Sequence, residues 1–293
     1  MLFFSEEQVR ENLPMSEAIR LMRETFHALR DKTAINQPRR RMHLPTGTVL
    51  HSMAGSFGKY LGTKIYAANP RHGAYFFFLL FDAETARPLA QFDANHLGQI
   101  RTGAASGYAT DLLASKDAST LAIIGSGFQA KTQLDAMRAV RQFKDVRVWS
   151  RNEANRYSFA VETQTRATAT AQEAVEGADV VVTATWAKDP VLENSWVGAG
   201  THVNAMGSHQ AARREIPADL IYRADLIAVD SKEVGKIESG DLLLASVDWN
   251  DPRIFDLADV DWRPAGNPVT IFKSNGLGVE DVAVAAYLYE KLA

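Results

Sequence analysis

No cysteine occurs among the 293 residues. That excludes disulfides, thiolate-bound zinc, iron–sulfur clusters and a thiol nucleophile. Long apolar runs are missing too, since none approaches the ~20 residues that span a bilayer. The longest, Ala74-Tyr75-Phe76-Phe77-Phe78-Leu79-Leu80-Phe81, has strand length and is rich in aromatic rings. Nor is there an excess of positive charge: 32 Lys and Arg stand against 35 Asp and Glu, a net charge of −3. The chain lacks the global field that would hold nucleic acid or an anionic membrane, so neither is expected as a partner. The opening Met1-Leu2-Phe3-Phe4-Ser5-Glu6-Glu7 has no basic segment and turns acidic at once, unlike a secretion signal. The expectation is a cytoplasmic protein with no metal site.

Hydrophobic residues make up 46% and charged residues 23%, enough for a full globular core. The length suggests two domains. In the first third, Ser5-Glu6-Glu7-Gln8 has the form of a capping box. A second helix is expected from Ser16 to Asp31, with Ala18, Ile19, Met22, Phe26 and Leu29 near helical spacing. Strands are expected at 47–53, 63–68, 74–81 and 88–92, separated by turns containing Gly, Pro and Asn. This is an α+β unit with a mostly antiparallel sheet.

After a helix at 97–113 the texture changes. Thr120-Leu121-Ala122-Ile123-Ile124 is a short continuous apolar run, as in a parallel strand buried on both faces. Strands at 146–150, 178–184, 202–205 and 226–229 then alternate with helices. This rhythm predicts an α/β doubly wound sheet of the Rossmann type. The expected domains are 1–115, with a final helix at 278–293 packing back on it, and 116–277.

Directly after the first apolar strand stands Gly125-Ser126-Gly127-Phe128-Gln129-Ala130. Gly125 permits a tight turn, Gly127 lets the backbone approach a pyrophosphate, and Ala130 lets the helix lie close to the strand. Free N–H groups at the helix start would bind the phosphates. Thr185, just past a later strand, joins these six as a cofactor-binding candidate. At the end of the second strand, where NAD enzymes place an acid for the ribose 2′-OH, the chain has Trp149-Ser150-Arg151-Asn152. A carboxylate there would repel a 2′-phosphate by ~4 kcal/mol per charge pair at about 4 Å and an effective dielectric of about 20. Arginine reverses the sign. NADP(H) is therefore preferred over NAD(H), with Arg151 as main determinant and Ser150 as a further donor.

Candidate substrate contacts lie in the first domain. They are the run Arg39-Arg40-Arg41 after Gln37-Pro38, then Lys64 in mid-strand, then Arg101 ahead of Thr102-Gly103-Ala104-Ala105. Three cations on separate elements would suit a carboxylate if they converge. A mid-strand Lys64 either faces solvent or lines a pocket, and the residues alone leave both open. His209 follows Met206-Gly207-Ser208, beyond a sheet strand where α/β ligands bind. Asp281, in Gly278-Val279-Glu280-Asp281, is either a helix cap or a pocket acid, and on the sequence alone reads as a cap.

Taken together, Gln37-Pro38-Arg39-Arg40, Gly62-Thr63-Lys64, Leu80-Phe81-Asp82-Ala83-Glu84-Thr85, Ile100-Arg101-Thr102-Gly103-Ala104, the dinucleotide turn, Glu176-Gly177-Ala178-Asp179 and Phe272-Lys273-Ser274-Asn275-Gly276 resemble the ornithine cyclodeaminase/μ-crystallin family nearly end to end. The resemblance implies a homodimer whose first-domain sheets meet across the two-fold. It implies that Arg40, Lys64 and Arg101 hold a substrate carboxylate, with Arg40 chosen by the Gln-Pro-x-Arg spacing. It makes Lys64 pocket-lining, and it leaves Lys64 and His209 as candidates to hold or relay a proton. Cyclodeaminases carry Asp in a Gly-x-Asp segment where this chain has Gly207-Ser208-His209, and they keep the acid for the 2′-OH that is missing here. Both departures favour an NAD(P)H-dependent reductase of a ketimine or cyclic imino acid, or a dehydrogenase that oxidatively deaminates a small amino acid. The alternatives are an ornithine cyclodeaminase and a non-enzymatic protein that binds NADPH and a small ligand.

Overall fold

The computed structural model describes residues 1–293. In chain order the elements begin with β1 (Leu2–Phe4), α1 (Glu6–Asn12), α2 (Met15–Arg30), β2 (Ile35–His43), β3 (Val49–Phe57), β4 (Tyr60–Asn69), β5 (Gly73–Asp82), β6 (Pro88–Asp93) and α3 (Asn95–Leu113). There follow β7 (Thr120–Ile124), α4 (Phe128–Val140), β8 (Asp145–Trp149), α5 (Glu153–Thr163), β9 (Arg166–Ala167), α6 (Ala171–Val175), β10 (Val180–Thr183) and β11 (His202–Ala205). The remainder are α7 (Ala218–Arg223), β12 (Leu226–Val229), α8 (Lys232–Glu238), α9 (Gly240–Leu244), β13 (Ile254–Asp256), β14 (Thr270–Lys273) and α10 (Gly278–Leu292). Two compact units result: residues 1–101 with 276–293, and residues 102–275. No helix is long and apolar enough to cross a membrane.

The first unit holds a six-stranded sheet in the order β1-β6-β5-β4-β3-β2. Only the β1–β6 pair is parallel. The capping box forms as expected: Ser5 accepts from the Gln8 amide at 3.3 Å, and Gln8 accepts from the Ser5 amide at 3.0 Å. Helix α2 buries Ala18, Ile19, Leu21, Met22 and Phe26, while Arg20 and Glu24 pair on its solvent side. Helix α10 packs on β3, β4 and α2. It is buried from Gly278 to Ala286, so it is apolar nearly all round. Its start presses on β3 so closely that a Cβ on Gly55 would lie 2.7 Å from the Val279 backbone. The composition of residues 35–43 carries no strand signal, because Pro38 and three arginines interrupt it. They nevertheless form β2, an edge strand with a register shift between Gln37 and Arg40, where proline is tolerated.

The second unit is an all-parallel sheet in the order β13-β12-β14-β11-β10-β7-β8-β9. The chain starts at β7, winds outward through β8 and β9, then returns to β10 on the other side of β7. That reversal is the topological switch point, and ligands of such sheets bind beyond the carboxyl ends of the strands there. Ile124, Val181, Val203, Ile227 and Ile271 meet α-helical side chains such as Leu220 in the core. The split falls inside α3 rather than at residues 115 and 116. The reason is local: Thr110 accepts a hydrogen bond from Asn204 at 2.8 Å, and Arg141 pairs with Asp111 at 2.8 Å, tying the end of α3 to the second unit.

Candidate active site

Strand β4 alternates. Tyr60, Gly62, Lys64 and Tyr66 face inward, and Leu61 and Ile65 face out. Lys64 therefore points into the first unit and is 3% exposed. Its Nζ lies 2.7 Å from Asp281 Oδ2 and 2.9 Å from Oδ1. Arg101 donates from Nε to Asp281 Oδ1 at 3.1 Å and from Nη1 to Glu280 Oε2 at 2.8 Å. Two buried cations thus share one carboxylate, and a second carboxylate completes the balance. Asp281 is their counter-ion and not the helix cap. The capping carboxylate is Glu280, which accepts from the Leu277 amide at 3.1 Å. The Arg101 guanidinium lies against Gly276, whose φ of +81° suits glycine and where a Cβ would come within 2.5 Å of Nη1.

Among the three consecutive arginines Arg39 is the most buried, and half-buried Arg41, opposite His51, shares its inward face, while Arg40 faces out. The irregularity of β2 puts Arg39 on the buried face at 9% exposure, while Arg40 is exposed. Arg40, which the spacing from Gln37-Pro38 selects, lies on the other face because the register shift breaks the two-residue alternation. Burial first, then the Arg101 charge, pushes the Lys64 pKa down to about 8, with Asp281 opposing and Arg39 adding to the fall. Beside this cluster His51 stacks on Tyr66, ring centroids 4.2 Å apart. Burial, then Arg39 and Arg41, holds His51 down at about 4, so its ring is neutral near pH 7. Its Nδ1 is buried with no hydrogen-bond partner. Nothing in the sequence around His51 marks it.

In the second unit the glycine turn has the form its sequence predicts. Gly125 adopts φ +123°, and a Cβ there would lie 2.4 Å from the Ala184 carbonyl oxygen. Gly127 caps α4 with no side chain on its amides, and its missing Cβ faces open space. Ala130 is fully buried. A helix start whose N-cap glycine supplies no capping side chain, beside an open approach, is what a dinucleotide pyrophosphate needs, so these residues fit that group. Ser126 donates to Ser150 Oγ at 2.8 Å, and Ser150 donates to the Asn152 carbonyl at 3.1 Å, joining the turn to the end of β8. Arg151, next in sequence, is exposed.

The loops after β10 and β11 hold Thr185 and His209. His209 is half-buried, its ring 5.8 Å from that of Trp186, which Arg213 also covers at 4.8 Å. Behind them lies a buried group that sequence reasoning missed: Glu215, Asp241 and Lys273, all fully buried. Glu215 accepts from Thr183 Oγ1, from the amide and hydroxyl of Thr185, and from the Gly207 amide. Burial, then Asp241, pushes the Glu215 carboxyl above the usual range, against these donors. Lys273 pairs with Asp241 at 2.9 Å. A lysine inside the apolar strand Thr270-Ile271-Phe272-Lys273 is the available signal. Glu215, beside Arg213 and Arg214, reads as an ordinary charged surface run.

Comparison with known proteins identifies the family. The profile of the ornithine cyclodeaminase/mu-crystallin family matches residues 1–293. The chain is 34% identical to a Δ1-pyrroline-2-carboxylate reductase of Bacillus cereus, over 99% of this chain and 96% of that protein. Among solved structures it resembles the Thermococcus litoralis Δ1-pyrroline-2-carboxylate reductase in complex with NADH and L-proline, at a TM-score of 0.92 and 29% identity, covering 99% and 97% of the two chains. It also resembles an archaeal alanine dehydrogenase dimer with bound NAD, at a TM-score of 0.93 and 30% identity, covering 99% and 95%.

Proposed function

Because the chain belongs to the ornithine cyclodeaminase/mu-crystallin family, we propose that it is an NAD(P)H-dependent oxidoreductase that reduces the C=N bond of a small imino acid, or runs the same step in reverse on an amino acid. The observation that carries this reading is Lys64: a buried ammonium held by Asp281 beside Arg101, with its pKa brought down to about 8. A proton donor of that strength gives up its proton near neutral pH.

A reduced nicotinamide, when bound, supplies the hydride. Arg39 and Arg101 pair with the carboxylate that adjoins the C=N carbon. Arg39 takes the place that spacing assigns to Arg40, since its side chain is the most buried of the three and lies on the face of Lys64. Lys64 gives its proton to the imine nitrogen. A C–H bond forms at carbon, and the C=N π pair becomes the nitrogen lone pair of the amine. Asp281 keeps Lys64 charged beforehand and holds its ammonium at a fixed point. His209 is the second candidate for the proton.

The amides of Phe128 and Gln129, with Gly125, Ser126, Gly127 and Ala130, take the cofactor's pyrophosphate, and Thr185 lines the nicotinamide half. Ser150 and Arg151 take a 2′-phosphate, which favours NADP(H). The protein is a homodimer through the outward face of β4 and β5. The segment Gly207-Ser208-His209 has no carboxylate where a cyclodeaminase carries one, which supports a reductase.

The test follows oxidation of NADPH and of NADH with Δ1-pyrroline-2-carboxylate, and with pyruvate plus ammonia or methylamine. Ornithine is assayed in parallel for ammonia release. Reduction of at least one imine by the native protein, and a loss of ~10²-fold or more in Lys64→Ala with NADPH binding retained, is expected for a general acid. Ammonia release from ornithine without net cofactor consumption would replace this reading with a cyclodeaminase. Inertness toward every substrate with NADPH still bound would replace it with a binding protein.

A further inference from the structure

The buried group at Glu215 has no part in the chemistry above, yet it is expensively built. Three ionisable side chains are fully buried together, two acids and one base. A buried ion pair adds little net stability, so what these three groups hold in place is the informative feature.

Glu215 gathers donors from the ends of two adjacent strands. Its Oε1 accepts from the Thr185 amide at 2.7 Å and from Thr185 Oγ1 at 2.6 Å. Its Oε2 accepts from Thr183 Oγ1 at 2.8 Å and from the Gly207 amide at 2.7 Å. Thr185 Oγ1 accepts in turn from the Ala187 amide at 3.2 Å. One carboxyl group therefore sets the chain beyond β10 and the chain beyond β11. The approach is so close that a Cβ on Gly207 would lie 2.2 Å from the Thr185 carbonyl and 2.4 Å from Glu215 Oε1. Asp241 and Lys273 hold the assembly from behind. Asp241 Oδ1 accepts from the amides of Glu215 and Ile216 at 2.6 and 3.0 Å, and Lys273 donates to the Ser208 carbonyl as well as to Asp241. These loops form the carboxyl edge next to the switch point, where a dinucleotide lies on such a sheet.

We infer that Glu215 is a positioning residue for the cofactor: its carboxyl group clasps the loops at 184–187 and 206–209 into the shape that receives the nicotinamide half. This rests on the NAD(P)-dependent reading above. The isosteric Glu215→Gln is discriminating. Its amide oxygen can serve only one of the two donor pairs, so the NH2 group confronts the other pair and leaves the Thr185 or the Gly207 amide without an acceptor. A second variant, Gly207→Ala, keeps the carboxyl group and forces the loops apart.

Both are measured by NADPH titration, by steady-state kinetics and by amide hydrogen exchange. The inference requires at least tenfold weaker NADPH binding, a matching rise in cofactor KM with the imino-acid KM changed less than twofold, and faster exchange confined to 184–187 and 206–209. NADPH affinity within twofold of native in Glu215→Gln overturns it, as does an equal rise in both KM values. If Glu215→Gln does not fold, Gly207→Ala decides by the same criteria. A native protein that binds neither NADPH nor NADH overturns the functional reading and this inference with it. Native binding that is indifferent to both variants overturns this inference alone.

Discussion

Lys64 and Asp281 face each other at 2.7 Å, both buried, and Arg101 reaches the same carboxylate at 3.1 Å. The arrangement sets the charge of Lys64 and therefore the pH range in which it can act. With its pKa near 8, the ammonium form dominates at neutral pH and the amine form above about 8. If Lys64 is the proton donor in imine reduction, kcat/KM in that direction should fall as pH rises through about 8. Amine oxidation needs the neutral amine and should rise through the same value. Stability moves separately. The unfolded lysine titrates near 10.5, so the unfolded state binds more protons between about 8 and 10.5, and folding is relieved as pH rises across that window. Asp281→Asn removes the shared counter-charge. It should cost about 3–5 kcal/mol in denaturant unfolding and move the kinetic limb to lower pH. A limb that stays in place would mean that Lys64 is not the group titrating.

The inward turn of Arg39 yields a sharp contrast between neighbours. Arg39→Ala should raise the imino-acid KM by tenfold or more, about 1.4 kcal/mol or beyond, with cofactor affinity unchanged. Arg40→Ala, on the exposed side of the same strand, should stay within twofold. The reverse pattern would return the role to Arg40.

The register shift that puts Arg39 and Arg40 on opposite faces is one of several features that the sequence conceals. The parallel strand at Thr120–Ile124 and the turn after it are legible because they depend on neighbours in sequence: an apolar run, a glycine that must adopt positive φ, and a helix that must begin. Strand β2 is not legible, since its pairing with β3 overrides a local composition of proline and arginine. Asp281 and Lys64 are 217 residues apart, and each alone has a plainer explanation as a cap or a solvated charge. Glu215, Asp241 and Lys273 become a group only through the order of strands in the sheet. The family resemblance brings Lys64 and Arg101 into one site. It does not locate their counter-ions, because it carries roles for the cations alone.

The proposed preference for NADP(H) rests on the end of β8. Arg151 is exposed and follows Ser150, which the hydroxyl of Ser126 ties to the glycine turn. No acid competes there for a ribose 2′-OH. Arg151→Ala should weaken NADPH binding about tenfold, near 1.4 kcal/mol, and leave NADH binding within twofold. The loss should shrink as salt is added, because the interaction is exposed and screened. Tighter binding of NADH than NADPH by the native protein would remove Arg151 from this role.

The outward face of the first unit's sheet bears on assembly. Leu61 and Ile65 on β4 and Tyr75 and Phe77 on β5 are 37%, 37%, 68% and 45% exposed. Ile65 is directly paired with Phe77, and Leu61 with Phe81, so the apolar side chains form one continuous patch across two strands. Patches of this kind mark association surfaces in soluble proteins. If two copies meet here, charge on the patch should separate them. A paired change puts charge on the patch while favouring the native strand pairing: Ile65→Lys with Phe77→Glu places opposite charges directly across from each other, which an isolated sheet accepts. Sedimentation should give a dimer for the native chain and a monomer for the double variant, with far-UV circular dichroism unchanged. A double variant that still sediments as a dimer would place the interface elsewhere on the chain, while a native monomer would leave this patch without a second copy to cover it.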